Sequence, residues 1–202
     1  MNWPAAQIIY LEKSETSTMS SPLPSFLITS SFWGRTVLIS DLSKSTNYYK
    51  VAVRVHKPHY TFADTTGSAI ATASTNPGKG LEFVVNGRVF NIEIHSSLVA
   101  CEFVYKSPAM GGREIVWNSA QPGPVGEIVC TDPQTGQRLG RFMQRTLYKE
   151  MGTLDFEDEI VKMGKEVVDE MVVVGLALAW LRITQSSVAL VAASKAVAVT
   201  DK

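Results

Sequence analysis

The sequence predicts an all-β fold with one buried helix: a closed barrel of roughly twelve strands around a hydrophobic C-terminal α-helix. Three observations predict it. Short runs of β-branched and aromatic residues with a hydrophobic period of two follow one another along most of the chain, separated by Gly, Pro, Asn and Asp. After Phe156 the period lengthens to that of a helix. Met171 to Leu181 is then apolar without interruption, and a helix apolar on every side has to be surrounded.

Composition permits such a core. Hydrophobic residues make up 45% of the 202 and charged residues 19%, a globular balance far from that of disordered chains. Lys and Arg number 19 against 19 Asp and Glu, so no global field draws the chain to nucleic acid, and none is expected as a partner. Met1 to Tyr10, interrupted by Pro4, does not read as a secretory signal. Two cysteines and no Asn-x-Ser/Thr acceptor point to a reducing, cytoplasmic setting.

From the N-terminus, Glu12 to Ser25 is rich in Ser and Thr with Pro22 and Pro24, and buries too little to offset its ordering entropy. The expected organisation is a flexible segment over 1–31, a barrel over 32–183 and a tail over 184–202. Strands are predicted at Trp33 to Ile39, then at Tyr49 to Val55, where Tyr49, Val51, Val53 and Val55 alternate with Lys50, Ala52 and Arg54. Asn86 and Gly87 suit a type I′ turn that folds Leu81 to Val85 onto Arg88 to Ile94. In that register Phe83 faces Phe90, Leu81 faces Ile92, Glu82 faces Asn91 and Val84 faces Val89. Further strands are predicted at Ser68 to Ala73, Val99 to Lys106, Arg113 to Asn118, Gly126 to Thr131, Arg138 to Gln144 and Thr153 to Phe156. Weaker runs lie at Gln7 to Leu11 and near Tyr60. Asp132, Pro133 and Gly136 supply turn chemistry for a second hairpin.

A helix is expected over about 157–183, opening with acids where its dipole favours them. Its uninterrupted apolar part, 11 residues, is about 16 Å long, whereas a bilayer core is about 30 Å thick. Enclosure by protein is therefore preferred to lipid. About eleven strands leave room for a central helix where eight do not, so the strand tally and the helix account for each other.

The run Asp169-Glu170-Met171-Val172-Val173-Val174-Gly175-Leu176-Ala177-Leu178, preceded by many short strands, resembles the tubby C-terminal-like superfamily, which includes the LURP-one-related proteins and phospholipid scramblases. It is most similar to fungal members of that group. The resemblance covers about Phe32 to Ile183 in organisation and rests for its motif on the helix. It implies a barrel of about twelve strands threaded by that helix, with Met171, Val172, Val173, Val174, Gly175, Leu176 and Leu178 as its structural centre, and a binding role at membranes. Fungal members usually end soon after a basic cluster. Here Arg182 stands alone before an Ala, Val and Ser-rich tail, in which Val188 to Val199 reads as a second short helix on the barrel, as a membrane-touching extension or as a loose end.

Catalytic signatures are absent from the sequence. His56 and His59 have an H-x-x-H spacing, but Pro58 argues against a helix there and no further ligands complete a metal site. Cys101 and Cys130 fall at inward positions and read as buried thiols. Gly78-Lys79-Gly80 lacks the Ser or Thr of a phosphate loop. Asp155, Glu157, Asp158 and Glu159 have sufficient explanation in the helix dipole. One charge feature stands out: Arg138, Arg141, Arg145 and Lys149 form a stretch of four bases without an acid, a candidate site for lipid phosphates. Spacing alone puts Arg138 and Arg141 on opposite sides of a strand.

The expected function is a non-enzymatic, cofactor-free binding or adaptor domain, cytoplasmic or peripheral at a membrane. By the resemblance, its partner is phosphoinositide or another anionic lipid; a protein partner is unspecified. The first alternative is a scramblase-like protein inserting Met171 to Val199. The second is a carrier or enzyme with a pocket at the barrel mouth.

Overall fold

Alternation of apolar and polar residues builds a wall with one dry and one wet face. A computed structural model describes residues 25–30, 36–42, 46–54, 56–76, 80–96, 101–119, 126–145 and 150–181. The first half of the wall comprises β1 (Ser25–Ser30), β2 (Thr36–Asp41), β3 (Thr46–Val53), β4 (Tyr60–Ala63), β5 (Ala69–Asn76) and β6 (Gly80–Val85). The second comprises β7 (Arg88–Ser96), β8 (Cys101–Ser107), β9 (Arg113–Ser119), β10 (Glu127–Thr131), β11 (Arg138–Gln144) and β12 (Glu150–Phe156). Each pairs antiparallel with its sequence neighbours. β1 closes the ring by pairing with both β2 and β12, so the sheet has no free edge. β8 illustrates the pattern: Cys101, Phe103, Tyr105 and Ser107 are buried while Lys106 is exposed.

The Asn86-Gly87 turn forms with φ of 47° and 77°, and Leu81↔Ile92, Glu82↔Asn91, Phe83↔Phe90 and Val84↔Val89 pair as the sequence predicts. The Phe83 and Phe90 rings stack with centroids 5.4 Å apart. The second predicted hairpin also forms, with the Gly136 N–H donating to the Asp132 carbonyl and the Asp132 N–H to that of Gln137.

Two boundaries differ from the expectation. Ser25–Ser30 is not part of a flexible segment ending at 31 but is the strand that closes the barrel, with Phe26 and Ile28 buried. Composition hid it, because its partners are β12, far along the chain, and β2. The expected single helix is also two. α1 (Asp158–Lys162) carries Asp158 and Glu159 in its first turn, as its dipole favours. Gly164, at φ of 102°, ends it by adopting a conformation that side-chain-bearing residues rarely hold. α2 then occupies 165–181. The predicted strand at Gln7 to Leu11, the possible helix over Val188 to Val199 and residues 33–35 of the predicted Trp33 to Ile39 strand lie outside the described residues.

α2 is the filling of the barrel. Met171, Val172, Val173, Val174 and Leu178 are fully buried in one core with Phe62, Phe83, Phe103, Trp117, Phe142 and Phe156 of the wall. At its middle, a Cβ on Gly175 would lie 2.9 Å from Cη2 of Trp117 and 3.0 Å from Cδ1 of Leu154, so the helix approaches β9 and β12 as closely as only glycine permits. α2 goes in at the upper rim, formed by the connections 64–68, 86–87, 108–112 and 132–137 together with α1. Seventeen residues span about 25 Å, which carries its far end to the lower rim.

Candidate functional site

The basic row follows β11. Regular alternation is interrupted there by a bulge: Cys130 pairs with Gly140 and Thr131 with Arg138, leaving Leu139 as the extra residue. Leu139 turns inward and is fully buried. Arg138 therefore shares the outer face with Arg141, correcting the expectation that they point to opposite sides. Arg145 is exposed at the strand's lower end, and Lys149 lies outside the described residues.

The structure does not gather these bases into one patch. Arg138 and Arg145 are seven residues apart, about 23 Å along a strand. Carboxylates already neutralise two of them. Arg138 Nη2 lies 2.7 Å from Glu157 Oε1, while Arg141 Nε donates to Asp155 Oδ2 at 3.0 Å and its Nη1 lies 3.7 Å from Glu127. Glu159 accepts from the Gln137 amide at 2.6 Å. Asp155, Glu157 and Glu159 thus pair with β11 and its turn, and Glu159 also lies in the first turn of α1, where the dipole favours it.

A second polar constellation, at the upper rim, carries more buried chemistry. Asp169 and Glu170 are both about 2% exposed and sit on adjacent positions of α2, about 100° apart around the helix. Asp169 accepts from the Tyr49 hydroxyl at 2.6 Å, from Lys165 Nζ at 2.7 Å and from the Asn86 amide at 3.3 Å. Glu170 accepts from the Ser107 hydroxyl and from the Ala109 N–H at 3.0 Å. One carboxylate ties the helix to β3 and the 86–87 turn, the other to β8 and its turn. Burial pushes the Glu170 carboxyl above its ordinary range against the pull of its donors, and burial followed by the Asp169 contact pushes the Tyr49 phenol up. Below Glu170, the Tyr105 hydroxyl donates to Met171 Sδ at 3.6 Å, and burial drives that phenol up, with the Glu170 charge adding.

Sequence reading missed this pair. The available signal was two adjacent acids directly before an eleven-residue apolar run, which cannot both reach water if the run is enclosed. A further acid, Asp132, anchors the 132–137 turn. It accepts from Arg113 Nε at 3.0 Å, from the Gln134 N–H at 2.8 Å and from the Thr135 hydroxyl at 2.9 Å. Arg113 first, then these donors, hold its carboxyl down at about 2.

The remaining candidates are structural in their contacts. His59 Nδ1 accepts from the Thr75 N–H at 3.0 Å, while His56 is exposed. Among the described residues no group of three or more His, Cys, Asp or Glu could hold a metal ion. Cys101 and Cys130 are free and buried, and burial pushes the Cys130 thiol well up. No described helix is long and apolar enough to cross a membrane. No protein-family model, curated protein or solved structure matches this chain.

Proposed function

We propose that the chain is a non-enzymatic, tubby-like binding domain that acts from its outer surface, with anionic membrane lipid as its ligand. The observation that carries the reading is the filled interior. With α2 packed against Trp117 and Leu154 at Gly175, the space that a carrier barrel of this size would offer a ligand is occupied by the chain itself. Recognition is left to the outside. Arg145, exposed at the lower end of β11 and in none of the ion pairs among the described residues, gives that surface a group able to meet phosphate, and the apolar segment of a scramblase-like insertion is, over Met171 to Ala179, already sheathed by protein.

Flotation with neutral vesicles and with vesicles containing phosphoinositide tests the proposal. Retention by the second kind alone is expected. Arg145→Glu, at a residue in none of the ion pairs among the described residues, is expected to weaken retention, as is Arg141→Glu. Equal binding to both vesicles, or none, would overturn the lipid role.

A further inference from the structure

Asn86 is the one asparagine of the chain that precedes a glycine; the others precede Trp, Tyr, Pro, Ile or Ser. It is also, among the described residues, the one non-glycine residue with a positive φ, at 47°. Both Asn86 and Gly87 are exposed at the upper rim. The ladder between β6 and β7 ends on the Val85↔Arg88 pair, so the turn closes without needing the Gly87 N–H. Asn47, Asn91 and Asn118, by contrast, sit inside paired strands, and Asn76 is followed by a proline, which has no N–H.

A following glycine lacks the Cβ that would hinder attack on the asparagine amide, and its backbone is free to adjust. Gly87 N, on giving its proton to hydroxide, bonds to Cγ of Asn86. The Cγ–Nδ2 bond breaks, and Nδ2 leaves as ammonia with a proton from water. The cyclic imide then takes up one water. Opening at Cγ yields aspartate; opening at the main-chain carbonyl yields isoaspartate, in which the chain runs through the side-chain carbon. The net change is one water consumed and one ammonia released, with no oxidation or reduction.

The contacts of this amide give the reaction a structural consequence. Asn86 Nδ2 donates to Asp169 Oδ2 at 3.3 Å, and Asp169 is about 2% exposed. Lys165 Nζ reaches both Asp169 oxygens, at 2.9 and 2.7 Å, but it is 72% exposed and acts on Asp64 as well. Arg88, the neighbouring base, is engaged by Glu166 at 2.8 Å. A carboxylate at 86 replaces a donor with a like charge, beside an acid that burial has deprived of water. Isoaspartate also adds a main-chain carbon to a turn whose two-residue length sets the 81–94 register.

We propose that Asn86 is a site of spontaneous deamidation, with water as the co-reactant, and that the carboxylate it leaves opposes Asp169 and loosens the upper fastening of α2. The inference does not depend on the membrane-binding reading.

The test ages the full chain in warm, mildly alkaline buffer and maps it by proteolysis and mass spectrometry, with fresh protein as control. Wild type is expected to gain aspartate and isoaspartate at 86 faster than at 47, 91 or 118. Asn86→Asp, which supplies one product directly, is expected to lower Tm by about 2 to 4 °C, as the loss of one net hydrogen bond does in a chain of this size. Asn86→Gly keeps the turn and removes the amide without adding charge, so it should melt between that variant and wild type. Combined with Asp169→Asn, Asn86→Asp should cost markedly less than it does alone. If aged wild type is modified at 86 no faster than at 47 or 118, the deamidation site is overturned. If Asn86→Asp melts no lower than Asn86→Gly, or costs as much with Asp169→Asn as without it, the opposition to Asp169 is overturned.

Discussion

Midway along α2, Gly175 faces Trp117 and Leu154 with no polar atom involved; five residues earlier, Glu170 and its neighbour Asp169 are as deeply buried, but among hydroxyls and backbone N–H groups. The same helix is fitted to the same wall by two different means. Shape alone decides the middle, where each atom must fit an existing space. Satisfied polarity decides the upper rim, where each carboxylate has directional partners on a separate part of the ring, and those partners index the helix in rotation and depth. The two regions should therefore respond to different substitutions.

The largest effect is expected in the middle. Gly175→Leu places a branched side chain where even a Cβ meets Trp117 at 2.9 Å, and overpacking of this kind costs about 3 kcal/mol, at the upper end of its usual range. Gly175→Ala is the informative companion. Its gain of up to about 1 kcal/mol in helix propensity opposes a Cβ set 2.9 Å from the fully buried Trp117 ring, which has no free space to move into, so denaturant unfolding is expected to find it less stable than wild type but by less than Gly175→Leu. Equal damage from both variants would mean that the helix has no freedom at all at this level.

At the upper rim the expected sequence is chemical. Asp169→Ala leaves the buried Tyr49 hydroxyl without its acceptor and should cost about 2 to 3 kcal/mol by chemical denaturation. Asp169→Asn retains an oxygen for Tyr49 and should lose markedly less. The Lys165 contact contributes little to either value, since that side chain is 72% exposed. If alanine and asparagine are equally harmful, charge rather than the hydrogen bond is what holds Asp169 in place.

Two acids then separate by pH. Asp132, held at about 2, lies below its unfolded value near 3.9, so its contribution is present above that value and lost as pH falls toward 2. Glu170 has the opposite sign: its folded pKa lies above the unfolded one, so its contribution is present at low pH and lost as pH rises through the folded value. Thermal melts across pH should show Asp132→Asn destabilised at neutral pH and converging on wild type in acid. Glu170→Gln should gain on wild type as pH rises. Parallel curves for the two variants would remove the distinction between a carboxylate held by an arginine and one held against burial.

How much of this was legible follows the range of the interactions. The 81–94 hairpin could be read residue for residue, because Asn86-Gly87 sets the turn and the turn sets the register. The bounds of β11 from Arg138 to Gln144 were equally local. Its bulge was not: Leu139 turns inward because the β10 partner strand offers one residue against two, and one strand's sequence does not display that count. β1 could be recognised only through β12 and β2, on which it closes the ring. For the candidate site, the four bases were visible, whereas the carboxylates that neutralise Arg138 and Arg141 come from neighbouring strands and the 157 cap.

The smallest effect is expected on the outer wall, and it tests whether polar contacts matter through burial or merely through being made. Arg138 and Glu157 have a geometry as good as that at the rim, with Nη2 to Oε1 at 2.7 Å, but their side chains are 47% and 28% exposed. Water offers both charges nearly equivalent partners, so the pair gains little and its loss leaves nothing stranded. Arg138→Ala should change unfolding free energy by about 0 to 1 kcal/mol, and raised salt should shrink the difference further. A loss matching that of Asp169→Ala would show that β11 and the start of α1 are fastened together as firmly as α2 is to its rim, and that burial is not what distinguishes the two sites.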